Sequence, residues 1–304
     1  MSAATINETD RRKKDWVHKK LDELFESEHL IPAFSTTVAR VTTLVNDPRS
    51  QLSDVSAVIS MDPSLAARCL KTASSVAYGG VRLDSIDAVV MRLGLREIRR
   101  VAMTVGVLDQ FSRLRVKVDW SKFWMHSILV ARLTEKLAAG FREPTGQEYL
   151  AGLLHDIGKL IIEHCFPREF ESIYLRAMER HCGHVILEEN LLGTDHAKVG
   201  GMACEHLKLH PDIISAIRFH HEPENPYLVT NPHGDHGFLA ACVAVADAMA
   251  NRAEVNLEGA SITSCEFEDL PEWHFLSQFE MVYGLEIDTE EEVRMAKEDL
   301  QSMR

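Results

Sequence analysis

Runs that alternate β-branched and polar residues are nearly absent from this chain, which argues against a sheet-based fold. The best candidate for a strand or loop is the stretch from Val255 to Phe267. No apolar run reaches the roughly 18–20 residues needed to cross a bilayer. Met1 to Lys20 is polar and has no apolar core of the kind a signal peptide carries, so the expected compartment is the cytoplasm, with no membrane partner. Cys-x-x-Cys pairs are missing too. The six cysteines (Cys69, Cys165, Cys182, Cys204, Cys242, Cys265) are scattered, mostly among apolar neighbours, and read as reduced core residues. Cys182 with His181 and His184 makes a zinc-like grouping that lacks a second cysteine pair. Positive charge is also short. Lys and Arg number 33 against 46 Asp and Glu, a formal charge of −13, which excludes sequence-independent binding to DNA or RNA. A small phosphorylated ligand stays open, because a bound metal can supply local positive charge. Internal repeats and low-complexity segments are absent.

What is there is helix. With 45% hydrophobic and 26% charged residues, 304 residues suffice for one large core or two lobes. Asp62-Pro63 is a helix start: Asp caps, and Pro at the first helical position loses no useful donor. Leu65, Ala66, Cys69, Leu70 and Ala73 follow at helical spacing. Further helices are predicted from Ser53 to Ile59, after Ser85, and from Leu95 to Leu108 beyond a break at Gly94. Others are predicted over Trp120–Ala139, Gln147–His164, Arg168–Arg180, Val185–Leu192, His196–Leu207, Pro211–His220, Gly237–Arg252 and Glu290–Ser302. The loop from Glu222 to Gly237, with three prolines, is irregular and directly follows His220-His221.

One pair stands out. His155 and Asp156 lie inside Gly152-Leu-Leu-His-Asp-Ile-Gly-Lys159, on what reads as a helix, where both can reach one ion. Lys159 shares the face of His155 four positions on and can grip a phosphate oxygen, and Gly158 allows another backbone or a ligand close. His126, His196, His220, His221 and Asp247 sit in other predicted helices or at their ends. Buried His and Asp need partners, and a metal is one. Imidazole plus carboxylate suits iron or manganese, with zinc, nickel and cobalt also compatible. A bridging Asp156 would hold two ions about 3.5–4 Å apart, the spacing used for in-line phosphoester hydrolysis. Six further histidines, His164, His206, His210, His233, His236 and His274, read as ordinary hydrogen-bonded residues.

The order His, His-Asp, His, His-His, Asp resembles the HD superfamily of metal-dependent phosphohydrolases, and its HD-GYP branch in ligand count. That resemblance implies one metal position at His126, His155, Asp156 and Asp247. It implies a second at His196, His220 and His221, with Asp156 bridging and Lys159 serving substrate phosphate or catalysis. The Gly-Tyr-Pro of that branch is replaced here by His220-His-Glu-Pro-Glu-Asn-Pro-Tyr227, so the loop that would shape a cyclic di-GMP site differs. The remainder resembles HDOD domains. The carrying motifs are Ile31-Pro32, Asn46-Asp47-Pro48, Val58-Ile59-Ser60-Met61-Asp62-Pro63-Ser64-Leu65 and Ala73-Ser74-Ser75-Val76-Ala77-Tyr78-Gly79. Later ones are Leu93-Gly94-Leu95-Arg96-Glu97, Ala151 to Leu160 and Gly193 to Gly200. The resemblance covers roughly Leu21 to Asp247. It implies an all-α fold, a helical HD-like domain packed with an additional N-terminal helical lobe. The expected limits are an extension over residues 1–20, an N-terminal lobe over 21–116, the HD-like metal lobe over 117–255, and a C-terminal segment over 256–304.

Three functions follow as expectations. The leading one is a bacterial signalling module that keeps a di-metal site and acts mainly on protein partners. The second is a phosphodiesterase or phosphohydrolase for a nucleotide or cyclic nucleotide, with Asp156 and Lys159 as catalytic residues. The third is an iron site used for redox or oxygen sensing.

Overall fold

The computed structural model describes residues 8–27, 31, 35–223, 225, 237–258 and 269–303, and among these there are helices but no strands. The helices are α1 Glu8–Phe25, α2 Thr36–Asn46, α3 Leu52–Ser60, α4 Pro63–Ala73, α5 Ile86–Phe111, α6 Trp120–Phe141, α7 Gln147–Leu154 and α8 Ile157–Cys165. Then come α9 Pro167–Arg180, α10 Val185–Leu192, α11 His196–His206, α12 Pro211–Phe219, α13 Phe238–Arg252, α14 Pro271–Leu276 and α15 Thr289–Met303. The fold is all-α. Several boundaries follow directly from cap chemistry. Asp62 accepts from the amides of Ser64 and Leu65 with Pro63 at the first helical position, and Ser85 accepts from the Ala88 amide. Gly94, at φ 75° and ψ 164°, is non-helical and breaks α5 into two helical segments, the break expected there, in a conformation costly to any residue with a Cβ.

Residues 255–258 form no strand, residues 259–268 lie outside the described part, and so does most of the loop from Glu222 to Gly237. Three helices, α1, α2 and α14, are not anticipated from the sequence, although Val38, Val41, Leu44 and Val45 of α2 recur at helical spacing. In α1 the mean character is strongly polar, yet Val17, Leu21 and Leu24 are buried.

Two hydrophobic cores are present. The smaller joins α2, α3, α4 and the first part of α5 through Val41, Val55, Ile59, Leu65, Cys69, Val89 and Ile98. The larger is built on α6, α7, α8, α11, α12 and α13, with Trp124, Ile128, Leu154, Ile157, Val199 and Val243 among its residues. Helix α5 belongs to both: Val101 and Val105 face the smaller core, Met103, Val107 and Phe111 the larger.

Charge is buried where these parts meet. Glu135 of α6 accepts from Arg99 (3.0 Å) and Arg100 (2.7 Å) of α5, and Glu97 accepts from Arg100 (2.9 Å). Arg132 of α6 binds Glu292 (2.7 Å) and Asp299 (2.8 Å) of α15. The same helix α15 holds the smaller core: Arg68 donates to the Met303 carbonyl, and Thr72 bonds the Ser302 hydroxyl. The C-terminal helix is therefore a clasp across the two cores.

Burial pushes the Asp299 carboxyl up to about 7, with Arg132 opposing and Glu97 adding to the rise. An acid whose pKa is higher when folded than when unfolded takes up a proton on folding. Its contribution is full below about pH 4, the unfolded value, and is lost as pH rises toward 7. Asp299→Asn should therefore flatten stability between pH 5 and pH 8. Urea midpoints at the two pH values check this, and a slope identical to the parent's would contradict it.

Candidate metal centre

The His155–Asp156 pair does not lie on a continuous helix. It occupies the junction between α7 and α8, with His155 in helical geometry and Asp156 at φ −97°, ψ 4°. That turn corrects the expected geometry. Lys159 Nζ donates to Asp156 Oδ2 at 2.6 Å, three residues back.

Around the pair the structure collects His126 from α6, His196 at the first position of α11, His220 and His221 just past α12, and Asp247 from α13. Three groups of ligand atoms lie close enough to hold an ion: His126, His155 and Asp247; His155, Asp156 and His220; and His196, His220 and His221. All seven predicted ligands thus converge. Asp156 sits between the groups. Its Oδ2 is 3.5 Å from both His126 Nε2 and His155 Nε2, and its Oδ1 is 3.2 Å from His196 Nε2. Asp247 Oδ1 is 3.1 Å from His126 Nε2.

The tautomers can be worked out from the partners. His126 Nδ1 faces the Val255 carbonyl (2.7 Å), His155 Nδ1 the Gly152 carbonyl (2.8 Å), and His220 Nδ1 the Ile217 carbonyl (2.7 Å). A carbonyl only accepts, so each Nδ1 carries a proton, and each Nε2 presents a lone pair when its ring is neutral. Yet His126 Nε2 and His155 Nε2 face one another at 3.2 Å, and His196 Nε2 faces His221 Nε2 at 2.9 Å. His220 Nε2 is buried with no hydrogen-bond partner. Lone pairs converging on a shared point, beside carboxylates, need a cation or protons between them. The donor set fits one or two divalent transition ions.

The protons sort by neighbour. Burial works against charge on His126, but Asp156 and Asp247 outweigh it and raise its pKa to about 9. His196 is likewise raised to about 9, burial being outweighed chiefly by Glu188. His220, which burial and the adjacent His155 and His196 disfavour as a cation, falls to about 3. Asp156 and Asp247 are held well below the usual carboxylate range despite burial, Asp156 by Lys159 and His155, Asp247 by His126 and His155. Asp156 is 3% exposed, while Lys159 and Asp247 show 17% and 18% and His221 is open to solvent. The centre is closed on one side and accessible on the other.

Gly158 explains how α11 reaches the site. A Cβ there would overlap the His196 carbonyl oxygen and crowd the Gly200 amide at 2.9 Å. Gly158→Ala should therefore displace His196 and destabilise the fold by about 3 kcal/mol, the upper range for overpacking. Chemical denaturation checks it, and an unchanged midpoint would refute the close approach.

The other histidines are accounted for locally. His164 Nδ1 accepts from the Arg115 amide, His210 from the Asp212 amide, and His274 bonds the Leu270 carbonyl. His206 packs against Phe25, and His233 and His236 lie outside the described residues. Among the described residues Cys182 and His181 join no ligand group, while His184 bonds Glu258 at 2.7 Å. Sequence reading missed Glu188, which is fully buried and accepts from both the backbone amide (2.8 Å) and Nδ1 (2.6 Å) of His196.

Residues 31–223, more than half of the chain, match the HDOD domain. The chain belongs to the HDOD domain family. An HDOD domain protein from Geobacter sulfurreducens superposes with a TM-score of 0.73 at 25% identity, over 96% of each chain. A candidate signal transduction protein from Marinobacter aquaeolei VT8 gives 0.70 at 23% identity, over all of this chain and 69% of its own. A candidate phosphohydrolase from Shewanella amazonensis SB2B gives 0.62 at 23% identity, over 95% and 98%. The last two show likeness of fold alone. The chain spans about a third of the length of the curated relatives it matches, 37% of one and 30% of another. No helix among the described residues is long and apolar enough to cross a membrane.

Proposed function

We propose that this HDOD chain is a signalling module built around a di-metal centre, and that it acts mainly through protein partners. His126, His155, Asp156 and Asp247 would hold one ion. His196, His220 and His221 would hold the other, with Asp156 shared. Iron or manganese is favoured. The observation that carries the reading is the pair of opposed Nε2 atoms, His126 against His155, each with its Nδ1 proton already committed to a carbonyl.

The open side supports a second reading, phosphoester hydrolysis of a nucleotide or cyclic nucleotide. Bound divalent ions would supply Lewis-acid charge and make water more acidic. Lys159, kept protonated by Asp156 against the cost of burial, would add positive charge for a phosphoryl group from the accessible edge. Asp247 and His221 border the same edge.

One experiment separates the readings. Protein purified without chelators is assayed for metal and for turnover of a phosphodiester panel, beside His220→Ala/His221→Ala. A module of the first kind holds two ions, loses one in the double variant, and turns over nothing above the metal-free control. Turnover that disappears with the double variant moves the assignment to the hydrolase. Absence of metal after anaerobic reconstitution with iron and manganese overturns both.

A further inference from the structure

Outside the seven ligands, the buried polar groups nearest the centre form a chain that leads away from it. Glu188 Oε2 accepts from both the amide and Nδ1 of His196. Behind it, His184 Nε2 bonds Glu258 at 2.7 Å, and His184 Nδ1 faces Glu188 Oε1 at 3.8 Å. Those two facing atoms are buried without hydrogen-bond partners, although His184 and Glu188 are almost wholly enclosed. Such an enclosed carboxylate is expensive unless it has a task. Its task here is orientation. The single oxygen that takes both bonds from His196 fixes the ring so that Nε2 points at Asp156 Oδ1 and His221 Nε2. Among the described residues neither histidine of the first position has a carboxylate on Nδ1: His126 and His155 lean on neutral carbonyls.

We propose that Glu188 is the positioning residue for the second metal position, acting through His196, and that His184 and Glu258 hold Glu188 in place. This rests on the di-metal reading above. A carboxylate on Nδ1 makes the opposite nitrogen a stronger donor and fixes its direction, and loss of such a partner lowers metal affinity about 10–100-fold. The same four-residue stretch serves both positions. Val255 supplies the carbonyl for His126, and Glu258 supplies the anchor for His184.

The test is titration of metal-free protein with Mn2+, followed by calorimetry and by electron paramagnetic resonance. The parent should bind two equivalents and give the spectrum of a spin-coupled pair. Glu188→Ala should weaken the second equivalent about 100-fold, leave the first near its parent value, and give an isolated-ion spectrum at one equivalent. Glu188→Gln keeps an oxygen for both bonds and loses only the charge, so its loss should be nearer 10-fold. Glu258→Ala should weaken the same equivalent by less than Glu188→Ala does. If Glu188→Ala fails to fold, the Gln and Glu258 variants carry the test. A parent-like second equivalent in the Glu188 variants, or equal loss of both equivalents, overturns the proposal. Failure of the di-metal reading shows itself separately, as a parent that binds no Mn2+.

Discussion

Asp156→Ala should purify with less than a tenth of the parent's metal, losing both ions rather than one. Either predicted position can spare a histidine and keep other donors, but both depend on Asp156, whose two oxygens face different ligand groups. The variant also releases Lys159, which loses its 2.6 Å partner while staying largely enclosed. Removing one member of a buried pair leaves an uncompensated charge, worth about 3–5 kcal/mol. Asp156→Asn separates the two effects, because it keeps the shape and one acceptor oxygen. Elemental analysis of the three proteins, with denaturation curves alongside, checks the expectation. A folded Asp156→Ala protein with parent-like metal content would mean that the converging atoms are not the ligands.

Arg132→Ala should destabilise the chain by about 3–5 kcal/mol and loosen α15 from both cores. Arg132 lies on α6, 4% exposed, and binds Glu292 and Asp299 of α15. Without it, among the described residues, Asp299 keeps no cation at hydrogen-bond distance and Glu292 keeps Lys136, at 2.6 Å. The loss should be smaller at pH 5 than at pH 8, because Asp299, already raised to about 7 in the parent, can be relieved by a proton. Denaturation at both pH values reads this directly. Hydrogen exchange should show early opening of residues 289–303. A cost below 1 kcal/mol at pH 8, or protection of α15 equal to the parent's, would show that the clasp contributes little.

The catalogue of ligands was legible because the order His, His-Asp, His, His-His, Asp resembles the HD superfamily, which separated these residues from ordinary hydrogen-bonded histidines. A His or Asp among apolar neighbours at helical spacing needs a partner wherever the chain goes. Gly158 was legible for a separate reason: it permits a close approach, and α11 makes it through the His196 carbonyl. What escaped sequence reading depends on tertiary placement. The turn at His155–Asp156 breaks a helix that the apolar pattern of residues 147–164 carries straight through, because packing of α7 and α8 decides it. Glu188 looks like any helix-surface acid in Val185–Leu192, and its burial against His196 of α11 is set by tertiary packing. The clasp by α15 joins residues some 160 positions apart, beyond the reach of any local pattern.

The most direct test of the di-metal centre is an anomalous-difference map from crystals of protein reconstituted anaerobically with iron or manganese. Two peaks about 3.5–4 Å apart, with Asp156 between them and the histidine Nε2 atoms pointing at them, is the predicted result. No peak within reach of Asp156 in fully reconstituted crystals would contradict the account.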